Sequence, residues 1–215
     1  MIISIILFFL ASFLNGVAQD FEGIIVYKIS YADLPSEMKG SEEMMPKTQT
    51  FYIKKEKAKF EMVTPMGTTI IFSDSKLKTS TVLMNTMGGK YKLSFSAEDL
   101  DDIESDKSSK YQINCLDEEK TIAGYLCKKV EVLSPGLNRT LEIYYTEEIQ
   151  PMNIKGLEGL NIKGMPMEYL IKTEEMSMTV IVDKVEQKSI DDDVFIIPEG
   201  YQEMPESMKS MMKNR

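Results

Sequence analysis

A mainly β fold built on an antiparallel sheet is predicted by three observations. Apolar runs alternate with period two, short turn-forming joints separate them, and helical periodicity is scarce across the chain. One wet face and one dry face per strand is the pattern of an antiparallel sheet rather than of a parallel sheet covered on both sides. In chain order, "FEGIIVYKIS" (21–30) is apolar on both faces, which predicts a central or covered strand. The segment "DLPSEMKGSEEMMP" (33–46) reads as a loop with a helical turn. In "QTFYIKK" Phe51 and Ile53 oppose Tyr52 and Lys54, and in "KAKFEMV" Ala58, Phe60 and Met62 oppose Lys57, Lys59 and Glu61. In "KYKLSF" Tyr91, Leu93 and Phe95 alternate with Lys90, Lys92 and Ser94, and in "RTLEIYY" Leu141, Ile143 and Tyr145 alternate with Thr140, Glu142 and Tyr144.

The joints at 54–57, 73–76 and 87–90 are charged, Ser/Asp and Gly-Gly turns, short enough for a meander in which each strand pairs with its predecessor. Two helices are expected. One spans 96–107, with Ser96 as N-cap and acids in the first turn; the other is the tail after Pro205, with Met208, Met211 and Met212 on one face. "DDD" at 191–193 reads as a solvated turn before a last strand, "VFIIP"; consecutive acids lack the spacing and glycine of a calcium loop.

The first residues, "MIISIILFFLASFLNGVAQD", carry no charge before Asp20. The apolar run is short for a membrane span, and Gly16 and Ala18 stand at −3 and −1 of a cleavage site before Gln19. The expected organisation is therefore a signal peptide at 1–18 and a single β-rich domain at 19–215, without a membrane span in the mature chain and without an acylation cysteine. The protein is expected in the periplasm or secreted.

Composition narrows the function classes. A net charge of −9 argues against nucleic acid and against electrostatic docking on anionic lipid. The chain has no histidine, which removes His-based triads, His general bases and His-ligated metals. No G-x-S-x-G, S-x-x-K or P-loop pattern supplies a nucleophile or a phosphate cradle, so no catalytic residue, cofactor or metal is assigned and the protein is read as a non-enzyme.

Cys115 and Cys127 flank a turn in an exported context. They form either a structural disulfide, which needs a bulge such as Gly124 supplies because their parities differ, or two separate thiols; no C-x-x-C exists for redox catalysis. Parity puts Cys115 with Tyr111 and Ile113 on a dry face and Cys127 with Lys129 and Glu131 on a wet one.

The chain holds 17 methionines, several of them on strand faces. In "MEYLIKTEEMSMTVIV" (167–182), Met167, Tyr169 and Ile171 share one face, and Met176 and Met178 share the next with Val180 and Val182. Unbranched, polarizable methionine gives an apolar wall that re-packs around varied guests. Converging thioethers are the alternative, a copper(I) site. The expected ligand face is Phe51, Phe60, Met62, Met167, Tyr169, Ile171, Met176 and Met178.

Several segments, "FEGIIVYKISY", "KTIAGYLCKKVEV", "IYYTEEIQP", "KGMPMEY" and "DDDVFIIPEGYQEM", together resemble an exported Bacteroidota-type family of unknown function over almost the whole mature chain. The closing F-x-I-P-x-G is similar to the end of LolA-like periplasmic lipoprotein and lipid carriers. That resemblance implies a strongly curved antiparallel sheet, an open half-barrel with one or two covering helices and an apolar concave side. The function expected is binding of a hydrophobic small molecule or lipid, such as an acyl chain. The competing classes are a structural or protein-interaction domain of the envelope with a filled core and, third, soft-metal binding.

Export is open to a direct check. Intact-mass measurement of protein recovered from the envelope or medium should give a chain beginning at Gln19, and recovery of full-length chain from the cytosol would contradict the signal peptide.

Overall fold

The structure, a computed structural model, describes residues 21–38, 40–99, 112–134, 139–149, 162–172 and 176–205. The expected signal peptide, most of the 96–107 helix and the tail after Pro205 lie outside these residues. The strands are β1 (Glu22–Ala32), β2 (Thr48–Lys54), β3 (Lys57–Thr64), β4 (Gly67–Asp74), β5 (Thr79–Thr86), β6 (Gly89–Phe95), β7 (Gln112–Ile122), β8 (Tyr125–Ser134), β9 (Arg139–Thr146), β10 (Met165–Lys172), β11 (Ser177–Gln187) and β12 (Gln202–Glu203). They form one 12-stranded sheet in the order β12-β6-β5-β4-β3-β2-β1-β11-β10-β9-β8-β7. All neighbours are antiparallel except β12, which lies parallel to β6, so the sheet is mixed at one edge and open at both.

This is the expected meander, run twice. The chain starts at the centre with β1, folds outward to β6, resumes at the opposite edge with β7 and folds back to β11, which closes against β1. The two-sided apolar character of β1 follows from that central place. Ile25 and Tyr27 are fully buried, while Ile24 and Val26 on the other face are half-buried. A register shift between Val26 and Tyr27 marks a bulge in this central pair, and a second lies in β10 between Pro166 and Glu168. Bulges add local twist and bend the sheet.

Two hairpin tips at one end share a construction. The Thr64 hydroxyl donates to Gly67 O and accepts from Met66 N, each at 3.2 Å, and the Thr86 hydroxyl does the same with Gly89 O and Gly88 N, also at 3.2 Å. Gly67 has φ +149, and a Cβ there would meet the backbone carbonyl of Asn85 on β5. At the start of the expected helix Ser96 and Asp99 cap one another. Ser96 N donates to Asp99 Oδ2 at 2.7 Å and Asp99 N to Ser96 Oγ at 3.3 Å. The loop at 33–46 contains a 3-10 turn at Glu42–Met44, as expected.

"VFIIP" is not a strand. Asp191 caps a 3-10 turn over Asp192–Phe195 by accepting from Asp193 N, and the chain from there crosses the outer face of β3, β4 and β5 to reach β6. It is moored where it leaves β11. Lys54 Nζ donates to Ile190 O at 2.7 Å and lies 3.0 Å from Asp192, while Glu22 Oε1 accepts from Ile190 N at 2.7 Å. This covering segment explains why Phe72 and Leu83, which point away from the main core, are buried. A cleft of about 180 Å³ is left beneath it, lined by Phe72, Leu77, Thr81, Phe195 and Ile197 among others.

The disulfide expectation is corrected. Cys115 and Cys127 are both free. Cys115 lies opposite Val130 and Cys127 opposite Lys120, so they stand on opposite faces and out of register, and the bulge that would have to reconcile them falls at Cys115–Glu119 rather than at Gly124. Burial is also the reverse of the parity reading, because Cys115 is exposed and Cys127 is fully buried. Cys127 shares its face with Ile122, Thr146 and Met165, which are themselves buried, so this end of the outer face is dry. Burial pushes the Cys127 thiol up from its usual pKa. A thiol reagent should therefore label Cys115 in the native protein and Cys127 only on unfolding, read by peptide mass spectrometry; equal protection of both would restore the bridge.

Acid stability follows from the ion pairs. Hydrogen bonds from Lys54 hold Asp192 low, those from Lys172 and then Lys129 hold Glu142 low, and those from Lys129 and then Tyr144 hold Glu118 low. Glu186, between Lys184 and Lys188, is brought down to about 2. Each carboxyl thus sits below its unfolded pKa, so the unfolded chain binds more protons in acid. The stability these pairs contribute is complete above about pH 5 and drains as the pH falls through roughly 4 toward 2. With no histidine, the unfolding midpoint should be level between about pH 5.5 and 8 and fall below about pH 4. Thermal melts followed by circular dichroism across this range check it, and a step between pH 6 and 7 would contradict it.

Candidate apolar ligand face

Residues opposite one another in an antiparallel pair share a face, so the register carries the apolar face across the sheet. One row runs Leu93, Val82, Ile71, Phe60, Phe51, Ile25 and Val185, from β6 to β11. The next runs Tyr91, Met84, Thr69, Met62, Gln49, Tyr27 and Val182. On the other wing Ile29, Val180, Tyr169, Ile143 and Val130 form a row, as do Tyr31, Met178, Ile171, Leu141 and Val132.

The sheet bends around this face. The Gln49 side chain on β2 donates to the Tyr169 hydroxyl on β10 at 2.8 Å, reaching past β1 and β11. Tyr27 packs edge-on to Phe51 at 5.5 Å and tilted to Tyr169 at 6.5 Å, and its hydroxyl donates to Pro166 O at 2.7 Å. Burial drives Tyr27 and Tyr169 to high pKa, Tyr169 to about 12, so both stay neutral, Tyr27 as a donor to Pro166 O and Tyr169 as the acceptor from Gln49. Among the described residues no buried side-chain nitrogen or oxygen lacks a partner.

The face has two parts. Around β1, β2 and β8 to β11 it is dry: Phe51, Ile143, Met167, Tyr169, Val180 and Val182 are buried and belong to one cluster. Over β3 to β6 it is apolar and, apart from the buried Val82, only half-buried, with Phe60, Met62, Ile71, Met84, Tyr91 and Leu93 keeping part of their surface accessible. The residues expected from sequence divide accordingly. Phe51, Met167 and Tyr169 are packed inside; Phe60, Met62, Ile171 and Met178 are half-buried on the same face. Met176 is half-buried just ahead of β11.

Ile71, Val82 and Met84 were not expected on this face. "TIIF" and "VLM" are apolar at consecutive positions, which hides the alternation; the cause is the C-terminal segment lying over the opposite face. Consecutive apolar residues bounded by turns were the available signal, the same one that marks β1 as covered.

No helix among the described residues is long and apolar enough to cross a membrane. No curated protein matches the chain significantly. Among solved structures, PNGF-II is similar at 15% identity and a TM-score of 0.56 over 90% of this chain and 33% of that one. The chain thus spans about a third of that protein's length, and the likeness is one of fold. The lipoprotein LppX of Mycobacterium tuberculosis is similar at 8% identity with a TM-score of 0.38, over 79% of this chain and 89% of that one. A beta-barrel-like protein of domain of unknown function DUF1849 from Brucella abortus is similar at 7% identity with a TM-score of 0.41, over 80% of this chain and 99% of that one. The family described as domain of unknown function DUF4412 matches residues 21–158, from the central strand β1 through β9, and the chain belongs to that family.

Proposed function

We propose that this is an exported, non-enzymatic protein that holds a hydrophobic ligand, a lipid or single acyl chain, on the concave face of its half-barrel. The observation that supports this is the half-buried apolar floor on β3 to β6, continuous in register with the dry core yet not itself dry. A contiguous accessible apolar surface is costly in water and is a mark of a binding surface. Methionine at Met62, Met84 and Met178 suits a guest without fixed shape, since its side chain re-packs at little cost. The ligand then contacts Phe60, Met62, Ile171, Met176 and Met178, with Ile71, Met84 and Leu93 added to the sequence-based set.

A fluorescent anthroyloxy fatty acid should bind saturably and raise the melting temperature by linkage. Met62→Gln with Met84→Gln keeps size but adds an amide to the floor, and should weaken binding by about tenfold. Met176→Leu with Met178→Leu keeps the surface apolar and should hold affinity within about twofold. Copper(I) binding through thioethers would instead be abolished by the leucine pair, because leucine offers no lone pair. Absence of saturable fatty-acid binding, with copper(I) affinity lost in the leucine pair, would replace this reading with the metal one; absence of both would leave a filled structural domain.

A further inference from the structure

The two ends of the sheet differ in chemistry. At one end stand Glu22, Lys54, Lys57, Asp74, Glu186 and Lys188 at the strand termini, with Lys55 and Glu56 in the β2–β3 turn. Of the large exposed apolar side chains among the described residues, Leu77 and Ile197 line the outer-face cleft, Ile196 adjoins it, and Leu126 stands apart at the β7–β8 hairpin. At the other end lie the β3–β4 and β5–β6 tips and the 33–47 loop. There Met44 is 46% exposed, Val63 56%, Met66 58% and Met87 95%.

Scattered surface apolar residues need no explanation, but these stand along one rim. The strand order puts the Met87 tip, the Met66 tip and the Met44 loop in sequence along it. Each tip is pinned by its threonine hydroxyl, so neither methionine is presented by a slack loop. Behind them on the concave face, each two ladder positions in from its tip, come Met84 and Met62. Methionines thus mark the way from the exposed rim to the floor, with Thr64 and Thr86 at the ladder positions between them.

Charge decides what the rim meets. Glu42 and Glu43 directly precede Met44, the exposed Lys47 and Lys90 stand apart at the same end without forming a cationic cluster, and the chain carries −9 overall, so net charge opposes an anionic surface and does not oppose a neutral one. We propose that the methionine rim docks the protein on a zwitterionic phospholipid bilayer and is the portal by which an acyl chain passes between bilayer and concave face. This rests on the ligand-binding reading above.

The test uses phosphatidylcholine vesicles carrying the anthroyloxy fatty acid, with vesicle flotation for docking and stopped-flow fluorescence for transfer to protein. Met66→Glu with Met87→Glu should cut flotation and slow transfer by about tenfold or more while leaving affinity for the fatty acid in solution unchanged. Met66→Leu with Met87→Leu should behave as the parent. Equal transfer by the glutamate pair overturns the portal, as does docking that needs phosphatidylglycerol. Self-association lost in the glutamate pair without any change at vesicles assigns the rim to a second copy of the chain and also overturns it. If solution affinity persists and only the vesicle response is flat, the portal alone fails; if no form of the protein binds the fatty acid in solution, the ligand reading fails and takes the portal with it.

Discussion

The pairing of β1 with β11 is the constraint on which everything else depends. It joins the first and last long strands of the chain at the middle of the sheet, and each wing is then a simple meander leading away from that seam. Among the described residues, only here do the two meanders share backbone hydrogen bonds. The seam is also where the apolar face is driest, with Ile25, Tyr27 and Val180 almost wholly withdrawn from solvent. Tyr27 makes it a junction in side-chain terms too. Its ring touches Phe51 on one wing and Tyr169 on the other, and its hydroxyl is satisfied by Pro166. Removing a ring of this size from a packed core typically costs about 3–5 kcal/mol, and here the loss would fall where both wings meet.

The wings use the same face differently. On the β8 to β11 side, large side chains fill the space between strands and a glutamine crosses the bend to close it with a hydrogen bond. On the β3 to β6 side the floor is left partly open, and cover is spent on the opposite face, where the C-terminal segment crosses from Ile190 to Met204, both buried. That choice leaves apolar surface where a guest is useful and removes it where it would only be a hazard.

The sequence was most readable where one face is wet. In β2, β3, β6 and β9 the alternation of apolar and charged residues assigned the face correctly residue by residue, and the double-sided β1 gave away its central position. Legibility failed wherever a second layer lies on the outer face. Ile70 to Phe72 and Val82 to Met84 are apolar in succession because the C-terminal segment covers them, so Ile71 and Met84 could not be sorted to the ligand face. Cys127 sits between Tyr125 and Lys129 and reads as wet, yet Ile122, Thr146 and Met165 on the same face are buried beside the sheet, which no local pattern announces. "VFIIP" has strand composition, but the Asp191 cap turns it into a 3-10 turn before the composition can act. The methionine rim was invisible for another reason: Met44, Met66 and Met87 are far apart in the chain and come to one edge only through strand order.

The single non-local seam has a consequence for how the molecule opens. Apart from β1–β11 and the short β12–β6 contact, every pair joins strands adjacent in the chain, so each wing can form from successive hairpins at low loop-closure cost. The wings are in that sense two cooperative units, and the seam is the last long-range contact to close and the first whose loss separates them. Sub-global opening would then expose backbone edges on β1 and β11 together with the apolar faces next to them, a template for strand exchange between copies. The bulge at this seam puts the extra residue, Asp183, on β11 between Val182 and Lys184, and makes that exposed edge a poorer match for any strand but its own partner.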